Sequence, residues 1–226
     1  MLILGIDTSG KTASVSICDE NNVIAQTTVL TKLTHSQVIL PLIEKLLKDA
    51  ELTLTDIDGF AVANGPGSYT GLRIGISAVK AMCLALNKKC IGVSTLKSLA
   101  YNCVGYRCTI ISLMRARPDI AYYGIFSSDG ENILQIKEDC IANVSDIIKQ
   151  IDFLNDIVLV GDYAQECFEK YFKDKNNVRI APAHDRLQLS SSLCAIAMKE
   201  NLYLPDQLDA SYLQITKAEK DIAQKD

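Results

Sequence analysis

Apolar and polar positions in the first half of the chain predict three strands, a helix, a strand and a second helix. A short apolar run, an alternating segment and a third extended segment follow one another through tight polar turns. Apolar residues then recur at helical spacing on either side of a buried run that leads into a glycine-rich loop. The predicted strands are residues 2–6, 13–17, 23–30 and 60–63, and the predicted helices are residues 34–50 and 70–87.

The second half repeats this order less clearly. Its pattern predicts strands at 109–114, 121–126, 133–137 and 157–160 and helices at 144–153, 163–172 and 190–200. Two βββαβα units in succession predict an α/β protein of the actin-like (ASKHA, ribonuclease H-like) fold class, with two subdomains built on mixed sheets. No stretch of flexible composition separates the halves. We place the boundary near Tyr106, which predicts an N-terminal subdomain at 1–105 and a smaller C-terminal subdomain, with the last helix and the tail, at 106–226.

The first predicted helix opens with a capping box, because Gln37 follows Thr34 at the required spacing. Pro41 lies inside the apolar pattern, so it either bends the helix or marks its true first turn, since proline lacks a backbone N–H. In the second helix, apolar and small residues cover most of the circumference, which indicates burial on two sides. One side can pack on its own sheet, and the sequence leaves open whether the first helix or another subunit covers the other.

Bulk composition narrows the function classes. A net charge of −4 and a pI near 5.3 argue against a free-standing nucleic-acid binder, because phosphate binding needs a basic surface. The eight cysteines form no C-x-x-C pair and have no histidine at zinc-ligand spacing. The sequence opens directly on a predicted strand, with no leader pattern and no stretch that approaches a membrane span. These features predict a cytoplasmic protein that does not contact a membrane.

The segment GPGSYTGLRIG, residues 65–75, places glycines between a predicted strand and a predicted helix. Such a loop directs backbone N–H groups to one point, where it holds an anion or lets another backbone approach closely. Its spacing matches neither the Walker A motif nor the dinucleotide-binding fingerprint. With the first turn of the chain it forms a candidate weak phosphate-binding site, made of Asp7, Thr8, Ser9, Gly65, Gly67, Ser68, Gly71 and Arg73.

A phosphotransferase of the actin-like class needs a matching loop in the second half. The corresponding turn, residues 115–119, lacks glycine and contains Pro118. Half of the nucleotide clamp is therefore missing, which favours Asp7 as a turn-capping residue over a catalytic one. Arg73 lies early in a helix, where its charge opposes the macrodipole and needs a compensating anion. Asp7 or the segment 55–59 is favoured for that role over an acidic group or phosphate from a partner.

No catalytic and no metal-binding residue is predicted. The position four residues after His35 is Ile39, so a single imidazole would have to hold any metal there. We interpret His35 as a helix-start residue that hydrogen-bonds locally. Ser68 does not lie in a nucleophile elbow, and neither histidine has a recognisable serine or cysteine partner, which argues against a hydrolase.

Three segments, LGIDTSGKTASVSI, THSQVILPLIEKLL and GPGSYTGLRIG, together resemble the bacterial TsaB (YeaZ) family, and RARPDIAYYGIF and PDQLDASYLQITKAEKD resemble later segments of it. The resemblance implies a non-catalytic partner subunit in the synthesis of threonylcarbamoyladenosine in tRNA. It implies pairing with the catalytic paralogue TsaD through the first two helices, homodimers when alone, and a small ATPase, TsaE, near the junction. It implies further that the subunit binds no cofactor, that ATP and metal come through the partners, and that tRNA is reached only through the complex.

The resemblance also implies an interface on the two helices. Its predicted residues are His35, Ile39, Leu42, Ile43, Leu46, Leu72, Ile76, Val79 and Cys83. Two positions depart from the family pattern, because Arg115 stands where an acidic residue is expected and Gln214 where an arginine is expected. Two other functions stay open: an independent phosphotransferase that uses Asp7 and the glycine loop, and a homodimeric regulatory module built on the same helices.

Overall fold

The structure is a computed structural model that describes residues 1–151 and 154–213. It contains two five-stranded sheets with helices packed against them. The first sheet and its connections comprise β1 Ile3–Asp7, β2 Thr12–Cys18, β3 Val23–Leu30, α1 His35–Asp49, β4 Gly59–Gly65, α2 Tyr69–Leu86, β5 Lys89–Ser94 and α3 Thr95–Tyr101. The second comprises β6 Arg107–Arg117, β7 Ile120–Asp129, β8 Ile133–Asn143, α4 Val144–Ile148, β9 Ile157–Val160, α5 Ala164–Cys167, β10 Val178–Ile180 and α6 Ser190–Ala197.

The two sheets have the same strand order. The first runs β3-β2-β1-β4-β5, and the second, in corresponding order, runs β8-β7-β6-β9-β10. In each, the three strands joined by tight turns pair antiparallel, the fourth strand pairs parallel to the first, and the fifth pairs parallel to the fourth. This repeated mixed sheet confirms the predicted actin-like fold class.

Several short elements differ from the prediction. The sequence pattern did not indicate β5, α3 or β10, because each is too short to show a periodicity of its own. Helix α4 ends at Ile148, well short of the predicted end, and residues 152–153 lie outside the described part of the chain. Helix α5 passes into a π-type turn at Phe168–Phe172, and α6 ends at Ala197.

The first sheet is covered on both faces. Helices α1 and α2 bury one face, where Ile39, Ile43 and Val79 pack with strand residues such as Leu4 and Val15. Helix α6 covers the other face, so a helix from the end of the chain packs on strands from its beginning. The second sheet begins at β6. The predicted division at residues 105 and 106 stays a prediction.

Helix α1 begins as predicted, because the Thr34 N–H donates to Oε1 of Gln37 at 3.2 Å. Pro41 lies inside the helix, at its seventh residue, so the alternative that it marks the first turn is wrong. The helix keeps its bounds because four apolar residues beyond or beside the proline are anchored in the core. These residues are Ile39, Ile43, Leu46 and Leu47.

Helix α2 has clear end signals. The Ser68 hydroxyl accepts a hydrogen bond from the Gly71 N–H at 3.2 Å, and Asn87 ends the helix in the left-handed region at φ 53°. By length and composition it is long and apolar enough to cross a membrane, which corrects the expectation that no stretch approaches a span. Core helices of globular proteins pass the same test, and Leu72 and Val79 of α2 are fully buried in the core.

Candidate functional site

The turn between β1 and β2 packs tightly on the glycine loop that leads into α2. The Thr8 hydroxyl donates to the Gly71 carbonyl at 2.7 Å, and the Ser68 N–H donates to the Ser9 carbonyl at 2.7 Å. A Cβ atom at Gly71 would lie 2.1 Å from the Thr8 carbonyl oxygen, and one at Gly67 would lie 2.4 Å from that of Ser9. The glycines therefore serve the close approach of another backbone, one of the two roles predicted for the loop.

Asp7 caps this turn from inside the protein. Its Oδ1 accepts hydrogen bonds from the backbone N–H of Ser9 at 2.9 Å and from the Ser9 hydroxyl at 2.6 Å. The residue is fully buried, and its Oδ2 has no hydrogen-bond partner among the described residues. Burial raises the pKa of Asp7 to about 6, although the two hydrogen bonds from Ser9 act to lower it.

This raised pKa predicts a specific pH dependence. Between the ordinary pKa of 3.8 and a folded-state pKa of about 6, the folded protein holds a proton that the unfolded chain has lost, so stability falls as pH rises. A rise in the pKa of Asp7 from 3.8 to about 6 corresponds to about 3 kcal/mol in the free energy of unfolding. We expect Asp7→Asn, which does not titrate, to gain about that much relative to wild type between pH 4 and pH 7. Urea denaturation of both proteins at the two pH values measures the gain, and a difference that does not vary with pH would contradict it.

His35 connects the start of α1 to the same turn. Its Nε2 lies 2.9 Å from the Gly10 carbonyl oxygen, which makes Nε2–H the donor, while Nδ1 is buried without a partner among the described residues. The contact spans 25 residues of sequence, so the predicted local hydrogen bond at the helix start is wrong. His35 instead fixes the entry of α1 against the β1–β2 turn.

A cleft of about 370 Å³ lies beside this turn, where actin-like phosphotransferases would hold a phosphate. It is lined by Ser9, Gly10, Lys11, Gly67, Ser68, Met114, Arg115, Ala116, Tyr122 and Asp162. The buried Asp7 does not line it, and the backbone around Gly67 and Gly71 is already engaged by Thr8 and Ser9. Across the cleft, the Arg115 side chain pairs with Glu166 and lies 4.4 Å from the centre of the Tyr163 ring. The cleft therefore does not contain the Asp7 carboxylate on which the phosphotransferase hypothesis relies.

Helices α1 and α2 leave a groove of about 690 Å³ on the outer surface of the first sheet's helical layer. It is lined by Ser36, Ile39, Leu40, Tyr69, Thr70, Arg73, Ile74, Ser77, Ala78, Ala81 and Met82. Leu40 of α1 is 57% exposed, Tyr69 of α2 is 42% exposed, and Leu84 at the far end of α2 is 74% exposed. Small residues between these apolar side chains would let a partner helix approach closely. We call this surface the helical groove.

Most of the nine predicted interface residues are buried within the protein itself, and one of these, Ile39, also lines the helical groove. Seven of the nine lie in the protein's own core, because they form the stripes by which α1 and α2 pack on the sheet: Ile39, Ile43, Leu46, Leu72, Ile76, Val79 and Cys83. His35 and Leu42 are partly exposed. Pairing through the two helices stays a prediction, but the side chains available for it are those of the helical groove. The helical groove had a signal in the sequence, namely the small residues of α2 that fall between its apolar positions.

Arg73 does not have the partner favoured from the sequence. Its guanidinium carbon lies 4.0 Å from the centre of the Tyr69 ring, and its Nε–H donates to the Tyr212 hydroxyl at 3.1 Å. None of the ion pairs formed by residues 1–151 and 154–213 includes Arg73, so compensation by Asp7 or by the segment 55–59 is wrong. Tyr212 also packs on Tyr69, and the centres of the two rings lie 4.9 Å apart.

Other sequence-based predictions fall outside these contacts. Gln214, where the family pattern has arginine, lies outside the described residues. Within the described ranges, no group of three or more histidine, cysteine or acidic side chains is placed to hold a metal ion. The eight cysteines are free thiols. The predicted absence of a cofactor stays a prediction.

Comparison with known proteins places the chain among related sequences. The family model described as TsaD, tRNA N6-adenosine threonylcarbamoyltransferase, matches residues 23–196. The protein named tRNA threonylcarbamoyladenosine biosynthesis protein TsaB from Bacillus subtilis is 32% identical over 151 residues, which cover 67% of this chain and 66% of that protein. The protein of the same name from Escherichia coli is 39% identical over 100 residues, which cover 44% of this chain and 43% of that protein.

The chain thus spans about two thirds of the first of these relatives and less than half of the second. Among solved structures, YeaZ from Pseudomonas aeruginosa superposes with a TM-score of 0.80 at 23% identity and covers 94% of this chain and 99% of its own. That likeness establishes the fold over nearly the whole chain. The model match and the two relatives show that the chain belongs to the family described by the TsaD model and, within it, to the TsaB/YeaZ family.

Proposed function

We propose that this protein acts in the biosynthesis of threonylcarbamoyladenosine in tRNA, as a non-catalytic subunit that pairs with a TsaD-type paralogue. The names of the TsaB relatives support the pathway, because both are biosynthesis proteins for that nucleoside. The observation that carries the pairing is the helical groove. It exposes Leu40 and Tyr69 on two helices whose opposite faces are already buried in the core, and Leu84 is exposed at the far end of α2. Exposed apolar patches of this kind mark interaction sites.

The geometry of the β1–β2 turn and of the glycine loop packed on it supports a non-catalytic role. Asp7 is buried behind the cleft and caps a turn, so it cannot orient a metal-bound water without a rearrangement. The glycine loop uses its close-approach positions for the chain's own backbone. In this proposal the chemistry belongs to the TsaD-type partner, and a TsaE-type ATPase joins near the junction. ATP, metal and tRNA are held by those partners, in the cytoplasm.

The pairing can be measured by light scattering behind a sizing column. We expect the protein alone to elute as a homodimer through the helical groove, and a mixture with the TsaD-type protein of the same organism to give a mixed species that replaces it. The reason is that one apolar surface serves both assemblies, so they exclude each other. Separate elution of the two proteins at micromolar concentration would contradict the proposal. Nucleotide turnover by the isolated chain is the control, because measurable turnover would favour the phosphotransferase.

A further inference from the structure

Arg73 is a positive charge held rigidly at the rim of the helical groove. It is the fifth residue of α2, and its guanidinium lies 4.0 Å from the centre of the Tyr69 ring. Its Nε–H is engaged by the Tyr212 hydroxyl. Tyr212 is itself held in place, because the neighbouring Ser211 donates its N–H to the Asn64 carbonyl at 2.7 Å. A long and otherwise flexible side chain is therefore fixed before any partner arrives.

No carboxylate of the described residues neutralises this charge. None of the ion pairs in residues 1–151 and 154–213 includes Arg73, and the first turn of α2 contains no acidic residue. The amino-terminal end of a helix carries a partial positive charge of its own. The guanidinium and the helix end therefore act together, and both would gain from a negative group on the facing surface.

The contacts that Arg73 makes within the described residues do not use the terminal nitrogens of its guanidinium, which are the donors that recognise a carboxylate. The aromatic ring covers one face of the guanidinium, and Tyr212 engages Nε. The two terminal nitrogens, Nη1 and Nη2, make no hydrogen bond to the described residues, and together they match the two oxygens of a carboxylate. Arginine and tyrosine are also the residue types that dominate binding energy at protein interfaces.

We infer that Arg73 receives an aspartate or glutamate side chain from a helix of the docked partner, next to the apolar side chains that enter the helical groove. The inference rests on the proposed function and names the chemistry of the partner. Charge complementarity selects the occupant, since the groove lining contains Arg73 and no acidic residue. Docking removes water from the pair, which strengthens the interaction and makes loss of either member costly. Tyr212 acts as a positioning residue for the guanidinium.

The test is a binding titration of the full chain with the TsaD-type protein at several salt concentrations. We expect Arg73→Gln to raise the dissociation constant roughly 30-fold or more and to reduce its salt dependence. Arg73→Lys keeps the charge but loses the planar pair of donors, so we expect an intermediate loss. Tyr212→Phe keeps the ring and removes the hydroxyl, so we expect a severalfold loss. Arg107→Gln, an exposed arginine of β6, is the matched control, and we expect no change.

The outcomes separate this inference from the proposed function. Absence of binding by the wild-type protein would overturn both. Binding by a folded Arg73→Gln variant with an unchanged dissociation constant and salt slope would overturn the inference alone. Outside the described residues the chain has four acidic residues: Asp152, and three in its C-terminal segment, Glu219, Asp221 and Asp226. If a variant with all three neutralised bound the partner more tightly, Arg73 would be assigned to its own tail, and the inference would be overturned.

Discussion

Replacing Val79 with arginine is expected to unfold the protein, whereas the same replacement at Ala81 is expected to leave it folded and to abolish pairing. Val79 is fully buried in the cluster that joins α2 to the first sheet. A charge there lacks a partner and displaces apolar contacts, at a cost of more than about 4 kcal/mol. Ala81, two residues later, is exposed and lines the helical groove. Arginine forms helices well and suits the carboxyl-terminal part of a helix, so its effect on stability should stay within about 0.5 kcal/mol.

Circular dichroism on urea titration gives the stability of each variant, and light scattering with the TsaD-type partner gives the pairing. The two variants carry the same new side chain on the same helix, so they differ only in the face that it occupies. A folded Val79→Arg variant would mean that the core assignment is wrong. A folded Ala81→Arg variant that still forms the mixed species would mean that pairing uses another surface.

Replacing Gly71 with alanine is expected to destabilise the protein, although alanine forms helices better than glycine by about 1 kcal/mol. The added Cβ atom would lie 2.1 Å from the Thr8 carbonyl oxygen, which is backbone and cannot rotate away. The β1–β2 turn and α2 would have to separate, and the hydrogen bond from the Thr8 hydroxyl to the Gly71 carbonyl would be strained or lost. We expect a net loss of about 1–3 kcal/mol in the free energy of unfolding.

Urea denaturation of Gly71→Ala and Thr70→Ala measures this effect with a matched control. Thr70 is the preceding residue of the same helix and is exposed, so its replacement should change stability by less than about 0.5 kcal/mol. The comparison decides between the two roles of the loop, since an open anion cradle would tolerate a methyl group better than a packed turn. A Gly71→Ala variant as stable as wild type would contradict the packed-turn assignment.

Local patterns predicted the larger elements well, because hydrophobic periodicity and end signals are properties of neighbouring residues. The strand Val23–Leu30 and the strand Ile157–Val160 have the predicted bounds, and α1 and α2 agree within one residue at each end. The strand β5 was missed because its brief apolar run directly follows the end of α2. Its place is set by parallel pairing with β4, a contact that no local pattern encodes.

In the candidate site, too, local spacing predicted part of the arrangement of side chains, and tertiary packing decided the rest. Spacing identified α2 as apolar or small around most of its circumference, but it could not say which stripe faces the sheet. The chain's own core contains Leu72, Ile76 and Val79. Outside that core lie Arg73, Ser77 and Ala81, which line the helical groove. Both stripes satisfy the same helical period, so only packing against β4 distinguishes them.

Arg73 and the glycine loop show which features depend on the sequence alone and which depend on the tertiary structure. The sequence by itself determined the fold class, the family resemblance and the need for close approach or anion binding at the loop, since these depend on residue type and short spacing. The tertiary structure alone decided that Thr8 fills the space over Gly71 and that Tyr212, 139 residues after Arg73, engages its guanidinium. Such contacts join residues far apart in sequence, and the free energy that selects them comes from burial and pairing in the folded chain as a whole.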